Sequence, residues 1–405
     1  LWNHLTTKDF VTYENRGPAL FPDSDIDSSG AYSGSAFMHD GKVHYFYTGN
    51  VKHFDRDDYD YVLTGRDQNQ IHMVTDNPDE LGEKRLAVGP LDYPDDIGTH
   101  VRDPKILEHD GVYYMVLGAR TKDDRGCVLV FTSCDLESWK YATRIELDEK
   151  FGFMWECPDL FELDGELVLV CCPQGVPAEG WRYHNPHQCV WFCIEADWEA
   201  PSFKVVDQGM PPMVDAGFDF YAPQSFEDNE GRRLMIGWVG CPDATVENPT
   251  VERGWQCALT VPRQLSMHDG KLCQWPAREL EKLRGDCAHV HAGETVAEPG
   301  RLFDAVISCE GAKTVELEIR EGVTVRFADG KLTLDMGVEG YGREVRSVEI
   351  GELHDLRVLS DTTLVEIFAN GGETALTSRT YSPAASTIRL LVEGTASMKF
   401  YRLAK

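Results

Sequence analysis

The chain has 405 residues, enough for two or three domains, and 42% apolar content gives each the means to bury a core. Its 39 Lys and Arg stand against 68 Asp and Glu, a formal charge of −29 that excludes nucleic-acid backbones and anionic membrane surfaces as partners. No apolar run approaches the roughly 20 residues of a membrane span, and the twelve scattered cysteines read as reduced core residues of a cytoplasmic protein.

In chain order, the first signal is Thr7-Lys-Asp9-Phe-Val-Thr-Tyr13, echoed later by Ser133-Cys-Asp135-Leu-Glu-Ser-Trp139. Between and beyond these lie four copies of another pattern, in which a short stretch runs into an Asp-Gly-like turn and then an apolar, aromatic strand. They begin at Gly34, Pro104, Pro158 and Pro223, with turn glycines Gly41, Gly111, Gly165 and Gly231 spaced by 70, 54 and 66 residues. Helical periodicity is nearly absent here. The repeat predicts an all-β fold, a β-propeller of hairpin-built blades over residues 1–275.

Gly111 precedes Asp135 by 24 residues, so the glycine matching Asp9 would lie about 15 residues before Leu1. The expectation is therefore a five-bladed propeller whose first blade is incomplete in these residues, with some tens of residues upstream. A chain starting at Leu1 without methionine also leaves secretion open.

A charged stretch with a helical reading, Arg278 to Arg284, follows in a linker at 276–296. Strictly alternating segments come next: Thr314 to Arg320, Val323 to Phe327 and Thr363 to Phe368, with turns at Asp329-Gly330 and Asn370-Gly-Gly372. These predict a C-terminal β-sandwich at 297–405.

Inner strands of a propeller start around a common axis, so equivalent positions converge on one pocket. Just before the aligned starts lie Ser33, Asp103, Cys157 and Ala222, preceded by Tyr32, Arg102, Glu156 and Tyr221. Trp2 and Trp238 are candidates for the wall. Aromatic faces, an arginine and two carboxylates suit a sugar and glycosidic chemistry. Taken alone, Asp103 reads first as a turn cap paired with Arg102, and its place in the repeat beside Glu156 reverses that in favour of catalysis; for Glu156 an ion-paired strand end is the lesser reading. The apolar neighbours of Glu156 suit a proton-donating acid. Cys157 reads as a small packed residue rather than a nucleophile. His184, His187 and Cys189 match no standard zinc spacing, so no metal and no cofactor is expected. The acidic run Asp55, Asp57, Asp58 and Asp60 reads as a solvated loop.

The segments Tyr32-Ser-Gly-Ser35, Arg102-Asp-Pro104, Glu156-Cys-Pro-Asp159 and Asp219-Phe-Tyr-Ala-Pro-Gln224 resemble the motifs of glycoside hydrolase family 32. So do Trp2-Asn-His4, Pro173-Gln-Gly175, Gly237-Trp238, Ile367-Phe-Ala-Asn370 and Thr377-Ser-Arg379, which carry the resemblance along essentially the whole chain. It implies hydrolysis of β-D-fructofuranosides (sucrose, sucrose 6-phosphate or short fructans) with retention of configuration. Glu156 would be the acid/base, Asp103 the transition-state stabiliser, and Arg102, Tyr32, Ser33, Trp2, Cys157, Tyr221 and Trp238 the substrate-binding set. The family nucleophile is an Asp in an Asn-Asp-Pro motif, which these residues do not contain.

Two alternatives stand beside this: a sugar-binding propeller without turnover, and a five-bladed glycosidase acting on arabinosides or xylosides. The expected partner is a small fructosyl-containing carbohydrate, with assembly into a homo-oligomer left open.

Overall fold

The computed structural model describes residues 1–404, among which regular structure consists of 30 strands and three short 3-10 helices. The protein is all-β. No helix among the described residues is long and apolar enough to cross a membrane. The chain forms two compact units, the first of residues 1–176 and 188–212, the second of 177–187 and 213–405.

The first unit holds three four-stranded antiparallel sheets in propeller-like blades, at residues 30–88 (blade II), 97–145 (blade III) and 154–205 (blade IV). A two-stranded sheet, Trp2–Thr7 against Tyr13–Leu20, precedes them as blade I. Each four-stranded blade opens on the expected hairpin. Asp40-Gly41, Asp110-Gly111 and Asp164-Gly165 all take positive φ at both positions, the backbone that turns antiparallel strands back with their natural twist.

The second repeat also has a local cause. Ser133 Oγ accepts from the N–H groups of Asp135 and Leu136, and Asp135 Oδ1 from those of Glu137 and Ser138. Thr7 and Asp9 repeat these bonds with Asp9, Phe10, Val11 and Thr12. Both are side-chain caps that close one turn.

The second unit contains blade V, residues 221–276, and the C-terminal strands. Arg263 of blade V is one reason they cohere, since it is fully buried against Asp215, Glu366 and Thr377. The C-terminal part is a nine-stranded sheet that curls over into a sandwich. Its long strand Phe303–Arg320 pairs first with Asp355–Asp361 and then with Val323–Ala328, and along its other edge with Leu391–Leu403. An irregularity between Glu310 and Thr314 lets it pass from one layer to the next. The core gathers Phe303, Ile307, Leu317, Val358 and Phe400, and strict alternation is what turns these residues inward.

Two expectations need correction. Residues 276–296 are not free linker: Arg278–Leu283 is helical as read, a 3-10 helix, but Arg284–His291 is a strand paired with Leu391–Leu403, its Val290 buried in the sandwich core. Nor are all twelve cysteines buried. Cys134 sits exposed in the capped turn beside Ser133, and Cys287 is exposed on the strand Arg284–His291.

Candidate active site

The aligned motif positions of the four blades share one backbone device. The register of the inner strand slips between Ala31 and Gly34, Arg102 and Lys105, Glu156 and Asp159, and Tyr221 and Gln224. In blades III, IV and V the second residue of each slip is left-handed, with φ of 65° at Asp103, 49° at Cys157 and 48° at Ala222. A bulge bends the strand and re-aims side chains, and strained non-glycine residues recur where chemistry is positioned. The periodicity located these positions without revealing the bulge.

Blades III and IV bring Arg102, Asp103, Glu156 and Cys157 together. Arg102 donates from Nε and Nη2 to Glu156 Oε1 at 3.0 and 2.7 Å, while Gln174 Nε2 donates to Glu156 Oε2 at 2.8 Å. The Glu156 side chain keeps 16% of its surface and that of Arg102 10%. The flank expected to be apolar is otherwise occupied. Trp155 is buried, stacks on Phe192 and donates to Phe151 O, so polar neighbours hold the Glu156 carboxyl instead. Gly118 lets the strands meet here, since a Cβ there would overlap the Trp155 carbonyl oxygen.

Asp103 does not cap a turn. Its Oδ2 accepts from the backbone N–H of Cys157 at 2.9 Å and lies 3.5 Å from the Cys157 thiol. Burial pushes its carboxyl up to about 6, Arg102 pulling downward and Glu156 adding to the rise. Burial first, and then the Asp103 charge, push the Cys157 thiol well up, so it is a neutral S–H donor. Cys157 thereby steadies a carboxylate.

A buried polar layer behind these residues escaped the sequence reading. Asp103 N–H donates to Thr48 Oγ1, which donates to Gln70, and Gln70 Nε2 donates to Val101 O and Tyr93. Arg102 Nη1 lies 3.1 Å from His100 Nδ1. Burial, then the charges of Arg102 and Arg66, push His100 down to about 3, so its neutral ring accepts from Arg102 and offers Nε2–H to Tyr61 O at 3.1 Å. The available signal was polar residues in strands that otherwise read as apolar or β-branched: Thr48 and Asn50 in one strand, Arg66 to Gln70 in the next.

The remaining candidates form separate contacts. Trp2 Nε1 donates to Tyr32 O at 2.8 Å and its ring meets Tyr47 edge-on, while Ser33 is exposed. In the second unit Tyr221 is buried and packs edge-on against Trp238, with ring centroids 6.4 Å apart. His187 and Asp243 pair at 3.0 Å, and His184 Nε2 reaches Gly180 O. In the acidic run, Asp58 pairs with Arg56 and Asp60 caps the N–H groups of Val62 and Leu63.

Residues 1–276 match the glycosyl hydrolases family 32 N-terminal domain, and residues 280–403 the family 32 C terminal. The chain belongs to this family. It is 36% identical over 395 residues to the sucrose-6-phosphate hydrolase of Bacillus subtilis, covering 93% of this chain and 79% of that protein. The Salmonella typhimurium sucrose-6-phosphate hydrolase is 37% identical, with 95% and 80% covered. Among solved structures, sucrose-6-phosphate hydrolase from Lactobacillus gasseri superposes with a TM-score of 0.88 at 27% identity, over 100% of this chain and 84% of that one. A Bombyx mori GH32 beta-fructofuranosidase, solved as a point mutant in complex with sucrose, gives 0.82 at 26%, over 100% and 85%. The protein is a glycoside hydrolase whose reaction is the hydrolysis of fructofuranosides.

Proposed function

We propose that this family 32 enzyme cleaves the fructosyl bond of sucrose 6-phosphate or sucrose with retention, using Glu156 as acid/base and Asp103 as transition-state stabiliser. The observation that carries the assignment is the Arg102, Asp103, Glu156 and Cys157 cluster on paired bulges, with the Glu156 carboxyl open along one edge. Arg102 and Gln174 fix that carboxyl so that a proton can pass to the leaving glycosidic oxygen and, in the second half-reaction, be taken from water. Asp103 places negative charge where positive charge develops on the sugar ring. Retention also requires a carboxylate nucleophile; the family's Asn-Asp-Pro motif is not among the 405 residues. Tyr32, Ser33, Trp2, Tyr221 and Trp238 are assigned to sugar contacts, a reading supported by their places in the repeat and in the family motifs. We also propose that the catalytic blades end near residue 276, where the first family match stops.

The test is to incubate the protein with sucrose and with sucrose 6-phosphate and follow the anomeric form of released fructose by NMR. β-Fructofuranose appearing first is expected. Release of pentoses from arabinosides or xylosides without fructose from either substrate, or sugar binding without turnover, overturns the proposal.

A further inference from the structure

Residues 53–65, between the second and third strands of blade II, form a loop that braces itself. His53 N–H donates to Gly65 O at 3.0 Å across its base, and the N–H groups of Thr64 and Gly65 donate to Asp60 O. Asp60 Oδ1 accepts from the N–H groups of Val62 and Leu63, and Phe54 stacks on Tyr59. Closed ends and side chains packed on one another make such a loop one compact piece. Its outer side is apolar and open to solvent, with Phe54 and Tyr61 more than half exposed.

The loop is seated on the strand Ile97–His109 of blade III, just upstream of Arg102. Val62 O accepts from Thr99 N–H at 2.7 Å and from Thr99 Oγ1 at 2.8 Å, and a Cβ on Gly98 would stand 3.0 Å from that same oxygen. Tyr61 O lies 3.1 Å from His100 Nε2, with the two rings edge-on. His100 is therefore the one residue of this seat that reaches the loop with one ring nitrogen and the catalytic cluster with the other.

The direction of these bonds follows from chemistry. His100 Nδ1 lies 3.1 Å from Arg102 Nη1, nearer than Gln68 Oε1 at 3.4 Å, and that oxygen already takes the Val101 N–H at 2.9 Å. A guanidinium only donates, so Nδ1 carries no proton, and the single ring proton sits on Nε2 opposite Tyr61 O. Burial and the charges of Arg102, Arg66 and Arg120 keep the ring in this neutral form. The Arg102 fork is thus gripped at both ends, Nη1 by His100 and Nε and Nη2 by Glu156 Oε1.

We propose that His100 is a positioning residue, which sets Arg102, and through it the Glu156 carboxyl, according to how the 53–65 loop is seated. The proposal rests on the acid/base reading of Glu156. Two substitutions divide the ring between them. In His100→Asn an amide oxygen takes the place of Nδ1 and accepts from Arg102; in His100→Gln an amide nitrogen takes the place of Nε2 and holds Tyr61 O alone. The measurement is kcat/KM for sucrose and for a fructoside with an activated leaving group. His100→Gln should lower the sucrose value about tenfold, through kcat rather than KM, and the activated substrate's by less than threefold, while His100→Asn recovers most of the sucrose loss. Asp60→Ala loosens the loop at an exposed position and should lower the sucrose value about threefold with the same dependence on leaving group, so a His100 variant that fails to fold leaves the test intact. Equal losses for the two substrates, or for the two His100 variants, would mean that the ring only fastens the loop, and would overturn the proposal. Glu156→Gln measured alongside separates the two readings. If it keeps its sucrose turnover, the acid/base reading falls and this proposal with it; if it loses turnover while the His100 and Asp60 variants match the wild type, the His100 assignment falls alone.

Discussion

Two arginine–carboxylate clusters, one in each unit, use the same chemistry and differ in what they leave open. In the second unit Arg263 is fully buried and gives its donors to Glu366 Oε2, Asp215 Oδ2, Gln274 Oε1 and Thr377 Oγ1 at 2.5–3.1 Å. Asp215 also accepts from the N–H groups of Gly217 and Thr377, and Glu366 from that of Val261. Every direction is filled, so this cluster can only hold structure. Around Arg102 the same fork meets one carboxylate, and Glu156 keeps an exposed edge. An Arg–carboxylate pair therefore becomes a candidate for chemistry through the edge left uncovered rather than through the pairing.

The largest effect should come from that edge. Glu156→Gln preserves size and can still accept from Arg102 through its one oxygen, with its NH2 turned to Gln174, whose amide can rotate to present oxygen, so the fold should survive while sucrose hydrolysis falls by about 10³–10⁴, the range for a lost general acid/base. A fructoside with an activated leaving group should lose less in its first half-reaction. Rates with both substrates check this; equal losses would remove the acid role.

The sealed cluster should respond in stability. Arg263→Met leaves Asp215 and Glu366 charged and buried, and should cost about 3–5 kcal/mol in urea unfolding. Replacing all three by apolar residues should cost less than the single change, because no uncompensated charge remains. If the single change cost under about 1 kcal/mol, the contrast between sealed and open clusters would fail.

Asp103→Asn stands between the two. Turnover should drop by about 10²–10³, because an amide offers less to developing positive charge. Folding carries the opposite sign. The Asp103 carboxyl is raised from its ordinary 3.8 to about 6 by burial, so its contribution to stability is full below pH 4 and lost as pH rises through 6. The asparagine does not ionise, and should gain on the wild type by at most about 3 kcal/mol between pH 4 and 7.5. Urea melts at those two pH values decide this; a gap independent of pH would show that the carboxyl does not titrate as described.

Much of this was legible in the chain. Asp-Gly turns and alternating strands announced the blades, and the spacing of four turn glycines aligned Arg102, Glu156 and Tyr221 from sequence alone. The sealed cluster was not legible: Asp215, Arg263 and Glu366 are far apart in sequence, and nothing local distinguishes Glu366 from the alternating polar residues around it. Within the family motifs, Asp219 and Thr377 have no role that the repeat explains, and packing supplies one: Asp219 accepts from Arg343 and from the Arg379 N–H, while Thr377 braces Asp215. The polar layer of Thr48, Gln68, Gln70 and His100 was missed because buried polar side chains reveal their partners only once strands from neighbouring blades are placed side by side.

The smallest effect concerns Cys157, which the sequence suggested as a packed residue or sugar contact and the structure places against Asp103 Oδ2. Its backbone N–H survives any substitution, so Cys157→Ala removes only the weak thiol donor, worth about 1 kcal/mol, and should lower kcat/KM roughly fivefold. A purely structural role could give the same loss, so the pH profile is the sharper measurement. Hydrogen bonding to the ionised form lowers a carboxyl's pKa, and the Cys157 thiol acts in that direction on Asp103. Losing it should move the acid limb of kcat/KM to higher pH, and Cys157→Ser, with a stronger O–H donor, should return the limb to the wild-type position or below. If alanine and serine variants shared one profile, Cys157 would be packing alone, and the open cluster would rest on Arg102, Gln174 and the backbone.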